Sequence, residues 1–250
     1  MPPERVALFV TCLVDLLYPE VGEATVALLR DRGVAVDFPQ DQTCCGQPAF
    51  NSGFQEDARK MARTLLDAFE GHEAVVSPSG SCVAMVRSHY PRLFRGTRDE
   101  ERAAALAART YELSEFLVDV LGAGGGPAAS GGRFEAKVTF HDSCHGLREL
   151  GLSGQGRRLL GEIEGLQLVE MARPEACCGF GGTFSLRLPE LATVMADDKL
   201  AQASDTGAQV LVAGDAGCLM HVAGRLARTG SDLRPMHLAV LLAEARGLRP

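Results

Sequence analysis

The sequence has no long apolar run, and its acidic residues outnumber its basic ones. No stretch of the 250 residues approaches the ~20 consecutive apolar residues that a membrane-spanning helix needs. The opening Met-Pro-Pro-Glu-Arg lacks the basic region and the cleavage site of a secretory signal, so we expect a cytoplasmic protein without a membrane span. The net charge of −7 argues against nucleic acid as the main partner, because binding to phosphates needs clustered Lys and Arg.

The fingerprints of organic-cofactor sites are also missing. The chain has neither the Gly-x-Gly-x-x-Gly of dinucleotide sites nor the Gly-x₄-Gly-Lys-Ser/Thr of phosphate-binding loops. Its glycine-rich segment 122–132 is not followed by a phosphate-binding helix. The motifs therefore indicate no bound nicotinamide, flavin or ATP. The ferredoxin run Cys-x₂-Cys-x₂-Cys-x₃-Cys is absent as well.

What the chain does contain is eight cysteines in two matching quartets. Each quartet consists of a single Cys, a Cys-Cys-Gly triplet and another single Cys, and equivalent positions lie 132 to 136 residues apart. The separations are 31 and 36 residues in the first quartet and 32 and 39 in the second. No cysteine falls outside the pattern, which predicts the duplication of one cysteine-bearing unit. The quartets are Cys12, Cys44, Cys45 and Cys82, and then Cys144, Cys177, Cys178 and Cys218.

The pattern of apolar residues predicts an α/β fold in each half. Short β-branched runs are typical of buried parallel strands, and the longer amphipathic stretches between them are typical of helices. We expect two tandem, pseudo-symmetric, Rossmann-like parallel-sheet domains, 1–121 and 133–250, joined by a Gly-rich linker at 122–132. The predicted strands are 6–11, 34–38, 74–77, 138–141, 166–170 and 210–213. The predicted helices are 20–32, 55–69, 153–164, 189–203 and 219–228, with helical tails at 111–121 and 235–246.

This arrangement predicts that the thiols of each half converge. Cys12 and Cys144 follow the first strand of their halves, while Cys82 and Cys218 follow a later strand just before a helix. Ligands of open parallel sheets bind beyond the carboxyl ends of the strands. A helix N-terminus beside a thiol favours the thiolate. The glycine after each cysteine pair permits a positive φ, which a loop wrapped around a metal needs.

Four converging thiolates suit a [4Fe–4S] cluster or a structural Zn²⁺. Zinc ribbons usually present two short Cys-x₂₋₄-Cys knuckles, whereas here the adjacent cysteines are flanked by separations above thirty residues. A thiol-redox site more typically shows Cys-x-x-Cys, which neither quartet has. Buried structural cysteines are a further alternative, although scattered core cysteines would not reproduce a quartet. The residues favour iron–sulfur and leave the other three classes open.

The motifs resemble those of the CCG-domain, or cysteine-rich domain, iron–sulfur proteins. That family includes the cysteine-rich component of heterodisulfide reductase, the iron–sulfur component of glycolate oxidase and the lactate-utilisation proteins, and the lactate-utilisation A branch is the most similar. The resemblance covers nearly the whole chain. The segments that carry it are 38–48, Ser77-Pro-Ser-Gly-Ser-Cys82, 140–148 and Ala176-Cys-Cys-Gly-Phe-Gly-Gly182.

The resemblance implies an iron–sulfur electron-transfer subunit of an oxidoreductase complex that oxidises L-lactate to pyruvate. It implies that all eight cysteines bind iron–sulfur clusters of the [4Fe–4S] type, with Zn as the alternative. It further implies partner subunits of the lactate-utilisation protein B and C types. A related glycolate oxidase or heterodisulfide-reductase-like system is the alternative role, and a zinc-binding or metal-free scaffold is the alternative of another class.

One departure from the family pattern concerns the last cysteine of each quartet. The heterodisulfide-reductase type ends each motif with Cys-x-x-Cys, but here Ser79 and Asp215 stand at the first of those two positions. Four cysteines per half remain enough for an ordinary [4Fe–4S] centre. Asp215 could supply an oxygen ligand, but a helix N-cap explains an Asp at this position more simply.

Histidines near the second quartet are candidates for tuning the site. His141 and His145 flank Cys144, and His221 lies three residues past Cys218. A hydrogen bond to a cluster sulfur would change the reduction potential. Histidines near strand ends are also common as ordinary core or surface residues, so both interpretations stay open.

Overall fold

Two four-stranded parallel sheets form the framework of the chain. The computed structural model describes residues 2–123 and 131–248. The strands are β1 Arg5–Leu8, β2 Ala35–Asp37, β3 Val75–Ser77, β4 Thr110–Glu112, β5 Arg133–His141, β6 Glu164–Leu168, β7 Val210–Ala213 and β8 Arg234–His237. The strand order is β2-β1-β3-β4 in one sheet and β6-β5-β7-β8 in the other, so equivalent strands take equivalent places. The predicted α/β class with two repeated parallel sheets is confirmed.

Helices connect and cover the strands. In the first half they are α1 Cys12–Leu17, α2 Pro19–Asp31, α3 Gln47–Asn51, α4 Gln55–Ala68, α5 Gly80–Ala84, α6 Tyr90–Leu93, α7 Glu100–Ala108 and α8 Leu113–Glu115. In the second they are α9 Cys144–Leu150, α10 Gln155–Gly161, α11 Thr183–Arg187, α12 Pro189–Asp205, α13 Ala216–Thr229 and α14 Leu238–Ala245. Two π-helical turns, Met85–His89 and Phe116–Val120, extend α5 and α8. Across 2–123 and 131–248, none of the helices has the length and apolarity to cross a bilayer.

The sequence located the central elements but missed the outer strands. All six predicted strands and all five predicted helices are found, with ends shifted by a few residues. The tails predicted as helices at 111–121 and 235–246 are wrong at their beginnings, which belong to β4 and β8. These strands are no shorter than β2 and β3, but their residues, Thr-Tyr-Glu and Arg-Pro-Met-His, form no apolar β-branched run. Pro235 is tolerated because β8 lies at the edge of its sheet. Most of the predicted linker, 124–130, lies outside the described residues, and the division into 1–121 and 133–250 stays a prediction.

The two sheets share one hydrophobic core. Val6 and Val76 of the first sheet pack into the same apolar cluster as Val138 of the second. The alternate residues of the first sheet, such as Val75, point to the other face and build a separate core with α4. The second sheet has its own counterpart around Leu211. The common core holds the halves together, so their strand ends keep a fixed relation to each other.

A buried histidine adds a polar link between the halves. His237 caps α14, where its Nδ1 accepts a hydrogen bond from the Ala239 N–H at 3.1 Å. Its Nε2–H donates to the carbonyl of Pro78, in the first half, at 3.0 Å. Burial lowers the pKa of His237 to about 4, because the charged ring would lose its hydration and its Nδ1 could no longer accept.

This lowered pKa predicts a specific pH dependence of stability. Between pH 4 and 6.5 the unfolded chain binds a proton at His237 that the folded chain does not bind, so acidification favours unfolding. His237→Asn retains a capping side chain and cannot take up the proton. As the pH falls from 7 to 4, the wild type should lose on the order of 3 kcal/mol of unfolding free energy relative to H237N. Urea unfolding at both pH values measures the gap, and a gap independent of pH would contradict the assignment.

Candidate metal centre

The eight cysteines lie at the carboxyl ends of the strands. Cys12 and Cys144 begin α1 and α9, shortly after β1 and β5. Cys82 and Cys218 lie in the first turns of α5 and α13, which follow β3 and β7. The two cysteine pairs occupy the loops before α3 and α11. Parallel strands place these positions at one edge of each sheet, as the sequence predicts.

Each Cys-Cys-Gly triplet forms a tight turn that only glycine allows. Gly46 and Gly179 have φ values of +81° and +89°. In this conformation their N–H groups donate to the sulfurs of Cys44 at 3.5 Å and Cys177 at 3.4 Å. A Cβ at Gly179 would lie 2.5 Å from the carbonyl oxygen of Ala192 on α12. The triplets therefore need glycine both for the backbone angle and for the close approach of the helix.

In the first quartet the four thiols form a chain of sulfur contacts, in which the sulfurs of Cys45 and Cys82 lie 3.5 Å apart. Hydrogen bonds from the thiols of Cys12 and Cys45 lower the pKa of Cys44 to about 3. The same hydrogen bonds, together with burial, raise the pKa of Cys12 and of Cys45. Cys44 is thus the member of this quartet that carries a thiolate first.

The second quartet repeats the chain and adds a histidine. Hydrogen bonds from Cys144 and Cys178 lower the pKa of Cys177 to about 2. Close contact with Cys178, with a further contribution from His141, lowers the pKa of Cys218 to about 7. Donor atoms of His141, Cys178 and Cys218 all lie within 4.8 Å of one another. This half therefore offers a nitrogen donor beside its thiols.

His141 is buried and only partly hydrogen-bonded. Its side chain is 2% exposed, and its Nδ1 lies 3.3 Å from the carbonyl oxygen of Pro174. Because a carbonyl can only accept, Nδ1 carries the proton. Among residues 2–123 and 131–248, its buried Nε2 finds no hydrogen-bond partner. A ring held in this way is typical of histidines that serve metal sites.

Both quartets line the same cavity. It measures about 170 Å³, and all eight cysteines contribute to its wall. A single water needs about 10–15 Å³ of such space, so the cavity can hold a larger group. The sequence predicts convergence within each half. The meeting of the two quartets across the halves was not predicted, because it depends on how the sheets pack together.

Asp215 forms hydrogen bonds between the two halves beside this cavity. It caps α13 by accepting from the Gly217 N–H at 3.1 Å, as the sequence predicts. It also accepts from the Ser81 N–H at 2.9 Å and lies 3.3 Å from the Ser79 hydroxyl, both in the first half. Ser79 in turn caps α5 by accepting from the Cys82 N–H. The two positions where related motifs carry a further cysteine are therefore occupied by linked helix caps.

Of the other predicted site residues, His145 lies close to the cysteines and His221 lies farther from them. His145 lines the cysteine cavity, and its Nδ1 lies 3.5 Å from the sulfur of Cys144. His221 lines a neighbouring cavity of about 510 Å³ instead, with its Nε2 lying 3.2 Å from the carbonyl oxygen of Ala192. The structure thus brings His141, His145 and Asp215 to the cysteines and places His221 beyond them.

Two residues of the site escaped the sequence analysis. Thr11, directly before Cys12, has a φ of +69°, the only positive value at a non-glycine residue within 2–123 and 131–248. Such strain costs about 1–3 kcal/mol and is common at functional sites. Lys199 is fully buried on α12 behind the second triplet. Its place on the apolar face, in step with Ala192 and Ala196, was the signal that could have revealed it.

The duplicated cysteine pattern matches a known family. A model of the cysteine-rich domain named CCG matches residues 6–87 and again residues 138–223, one copy in each half. The chain belongs to the CCG cysteine-rich domain family. Each CCG match includes a complete quartet and ends within the helix that carries its last cysteine.

Curated relatives resemble the chain over almost its full length. A lactate utilization protein A of an Exiguobacterium species is 48% identical over 243 residues, covering 96% of this chain and 97% of that protein. That of Halalkalibacterium halodurans is 47% identical and covers 95% and 96%. A lactate utilization protein A 2 of Bacillus cereus is 44% identical and covers 96% and 98%. All three relatives are named as lactate utilization protein A or A 2, and each matches the chain over almost its own full length.

A solved structure supports the fold. The whole chain superposes on a hypothetical protein from Helicobacter pylori with a TM-score of 0.70, spanning half of that protein's length. The sequence identity is 10%, so this likeness concerns the fold alone.

The need for glycine at position 179 can be tested by substitution with alanine. Gly179→Ala must adopt a left-handed backbone and also place a Cβ against the Ala192 carbonyl. Gly33 has a φ of +77° with open space around it, so Gly33→Ala isolates the backbone cost of roughly 1–2 kcal/mol. We expect G179A to lose a further 1–3 kcal/mol, roughly the cost of overpacking. Urea unfolding of the metal-free chain measures both losses, and equal losses would show that the close approach of α12 is not needed.

Proposed function

We propose that the chain is the iron–sulfur subunit of an oxidoreductase system that oxidises L-lactate to pyruvate. The observation that carries this proposal is the convergence of eight free thiols on one cavity. Membership of the CCG family supports the iron–sulfur part. The shared name of the relatives, lactate utilization protein A, supports the substrate. A related glycolate- or heterodisulfide-linked system is the alternative.

The donor set fits an iron–sulfur group. Iron–sulfur clusters are held by cysteine thiolates, and the low pKa values of Cys44 and Cys177 provide one ready thiolate in each quartet. The remaining thiols lie in direct sulfur-to-sulfur contact and are half-buried or buried. All eight cysteines are free, so no disulfide has to break before a metal binds. An iron–sulfur group bound here would supply reversible one-electron transfer.

The chain's own groups would hold such a cofactor and shield it. The N–H groups of Gly46 and Gly179 point at sulfur atoms, and such donors stabilise thiolates against their mutual repulsion. Pro48 and Phe180 form part of the cavity wall and limit the access of water. The link from Asp215 to Ser81 keeps the two quartets facing one another. These residues bind, orient and exclude solvent.

The chemistry of lactate requires more than this chain's motifs supply. Oxidation to pyruvate removes two electrons and two protons, and an organic cofactor normally accepts them. The sequence contains no fingerprint of such a cofactor. We therefore propose that partner subunits of the lactate-utilisation B and C types complete the reaction in the cytoplasm, and that this chain transfers electrons for them.

Zinc is the second candidate metal. It is favoured by the grouping of His141, Cys178 and Cys218, because a mixed thiolate and imidazole set suits Zn²⁺. A zinc site would make the chain a scaffold without redox chemistry.

Metal analysis of anaerobically purified protein separates the two metals. We expect comparable amounts of iron and acid-labile sulfide, with a brown colour and absorbance at about 400 nm. Cys45→Ser and Cys178→Ser should each remove about half of the iron, because each breaks one quartet. Thr64→Ser, on the exposed side of α4, serves as the control and should bind as much iron as the wild type. A colourless protein that contains zinc and no sulfide would contradict the proposal.

An activity assay tests the role of partners. The isolated chain should not convert L-lactate to pyruvate, whereas the reconstituted three-component system should. In that system Cys45→Ser or Cys178→Ser should abolish electron transfer to an added dye. Lactate oxidation by the isolated, metal-free chain would refute the electron-transfer role. Full activity of both variants in the complex would restrict the cysteines to a structural role.

A further inference from the structure

The two quartets have equivalent surroundings, which allows them to be compared position by position. A side chain at Gly46 would meet Met61 of α4 at 3.5 Å, and one at Gly179 would meet Met195 of α12 at 3.0 Å. The helices α4 and α12 therefore lie in the same place relative to their triplets. In the strands, Leu8 pairs with Val76 in the same way as Phe140 pairs with Val212. The residues that follow Leu8 and Phe140, namely Phe9 and His141, are therefore equivalent as well.

These equivalences reveal a difference in charge. One turn beyond the methionines, the first half has Leu65 and the second has Lys199, both with 0% of their surface exposed. After the paired strand residues, the first half has Phe9 and the second has His141, exposed by 1% and 2%. Two apolar side chains beside the first quartet thus correspond to two nitrogen bases beside the second.

Lys199 is held as an ammonium group. Its Nζ donates to the carbonyl oxygens of Arg173 at 2.7 Å and Pro174 at 3.2 Å, and to the sulfur of Met171 at 3.5 Å. Three acceptors match the three protons of an ammonium. Burial lowers the pKa of Lys199, while nearby Glu175 and the cysteine sulfur act against that shift. Its carbonyl partners belong to the segment that leads into the second triplet, and Pro174 also contacts His141.

The carboxylates near this ammonium group are Asp142, Asp198 and Glu175, and Asp198 is paired with Arg173 at 2.7 and 2.8 Å. Asp142 is fully engaged by Arg157, with two hydrogen bonds of 2.8 and 2.9 Å. Glu175 is exposed, so solvent screens it. Asp215 bonds to groups of both halves, and its negative charge acts to raise the pKa of Cys144 and Cys218, so it opposes the effect of Lys199 on the second quartet. Beside the first quartet, Tyr90 is buried and neutral, and its hydroxyl donates to the backbone carbonyl of Cys45 at 2.9 Å.

We propose that Lys199 makes the second quartet the preferred site of the electron. This inference rests on the proposed iron–sulfur function. Reduction adds one negative charge, and the buried ammonium group of Lys199 stabilises that charge in a medium of low dielectric constant. An electron that can occupy either group then moves from the group held by the first quartet to the group held by the second. The first group is oxidised and the second group is reduced. No proton or further reactant is involved.

An anaerobic redox titration followed by EPR tests the difference. Cys45→Ser leaves the second quartet intact, and Cys178→Ser leaves the first. We expect the protein with only the second quartet to have the higher reduction potential. The difference should correspond to at least a tenfold change in the equilibrium constant, which is 59 mV for one electron. Equal potentials, or the reverse order, would overturn the inference while leaving the iron–sulfur function in place. Failure of both variants and of the wild type to bind iron would refute the proposed function itself.

The contribution of Lys199 is tested in the Cys45→Ser background. Lys199→Met keeps the length of the side chain and removes its charge. The reduction potential of the second site should therefore fall, by an amount that corresponds to at least a tenfold change in the equilibrium constant. Lys60→Met, on the exposed face of α4, is the matched control and should not shift it. An unchanged potential in the folded K199M protein would overturn the role of Lys199. If circular dichroism shows that K199M does not fold, Lys199→Gln takes its place under the same criterion.

Discussion

The site depends on a backbone turn that only glycine can make. At Gly46 and Gly179 a positive φ brings the N–H group back onto the first sulfur of each pair, while a helix passes too close for a Cβ at Gly179. The sulfur that receives this N–H also receives two neighbouring thiol hydrogen bonds, and its pKa falls. The turn therefore sets both the position and the ionisation of the thiols.

The packing of the halves turns two sets of thiols into one site. A common apolar core fixes the sheets, and the carboxyl ends of their central strands face a single cavity. Asp215, in the wall of this cavity, and the buried His237 form hydrogen bonds from the second half to the first. The halves are alike in backbone, whereas Lys199 at the position of Leu65 makes them unlike in charge, and His141 at the position of Phe9 makes them unlike in polarity. A pair of unlike sites can direct an electron, which two identical sites cannot.

Much of this arrangement could be predicted from the sequence, and the exceptions have physical reasons. The quartets and the buried strands follow from local spacing and periodicity, so their place at the strand ends was predictable. The strands β4 and β8 were missed because their residues form no apolar β-branched run, and β8 contains Pro235. The shared cavity depends on contacts between distant segments. Lys199 is stabilised by backbone carbonyls that only the folded loop brings to it.

The facing thiols of the two quartets are expected to bind iron. This can be tested with anomalous difference maps measured on either side of the iron absorption edge, from crystals grown without oxygen. We expect iron peaks inside the cavity, on the side of Cys45 and Cys82 and on the side of Cys178 and Cys218. A map without iron in the cavity, with anomalous signal appearing only above the zinc edge, would contradict it.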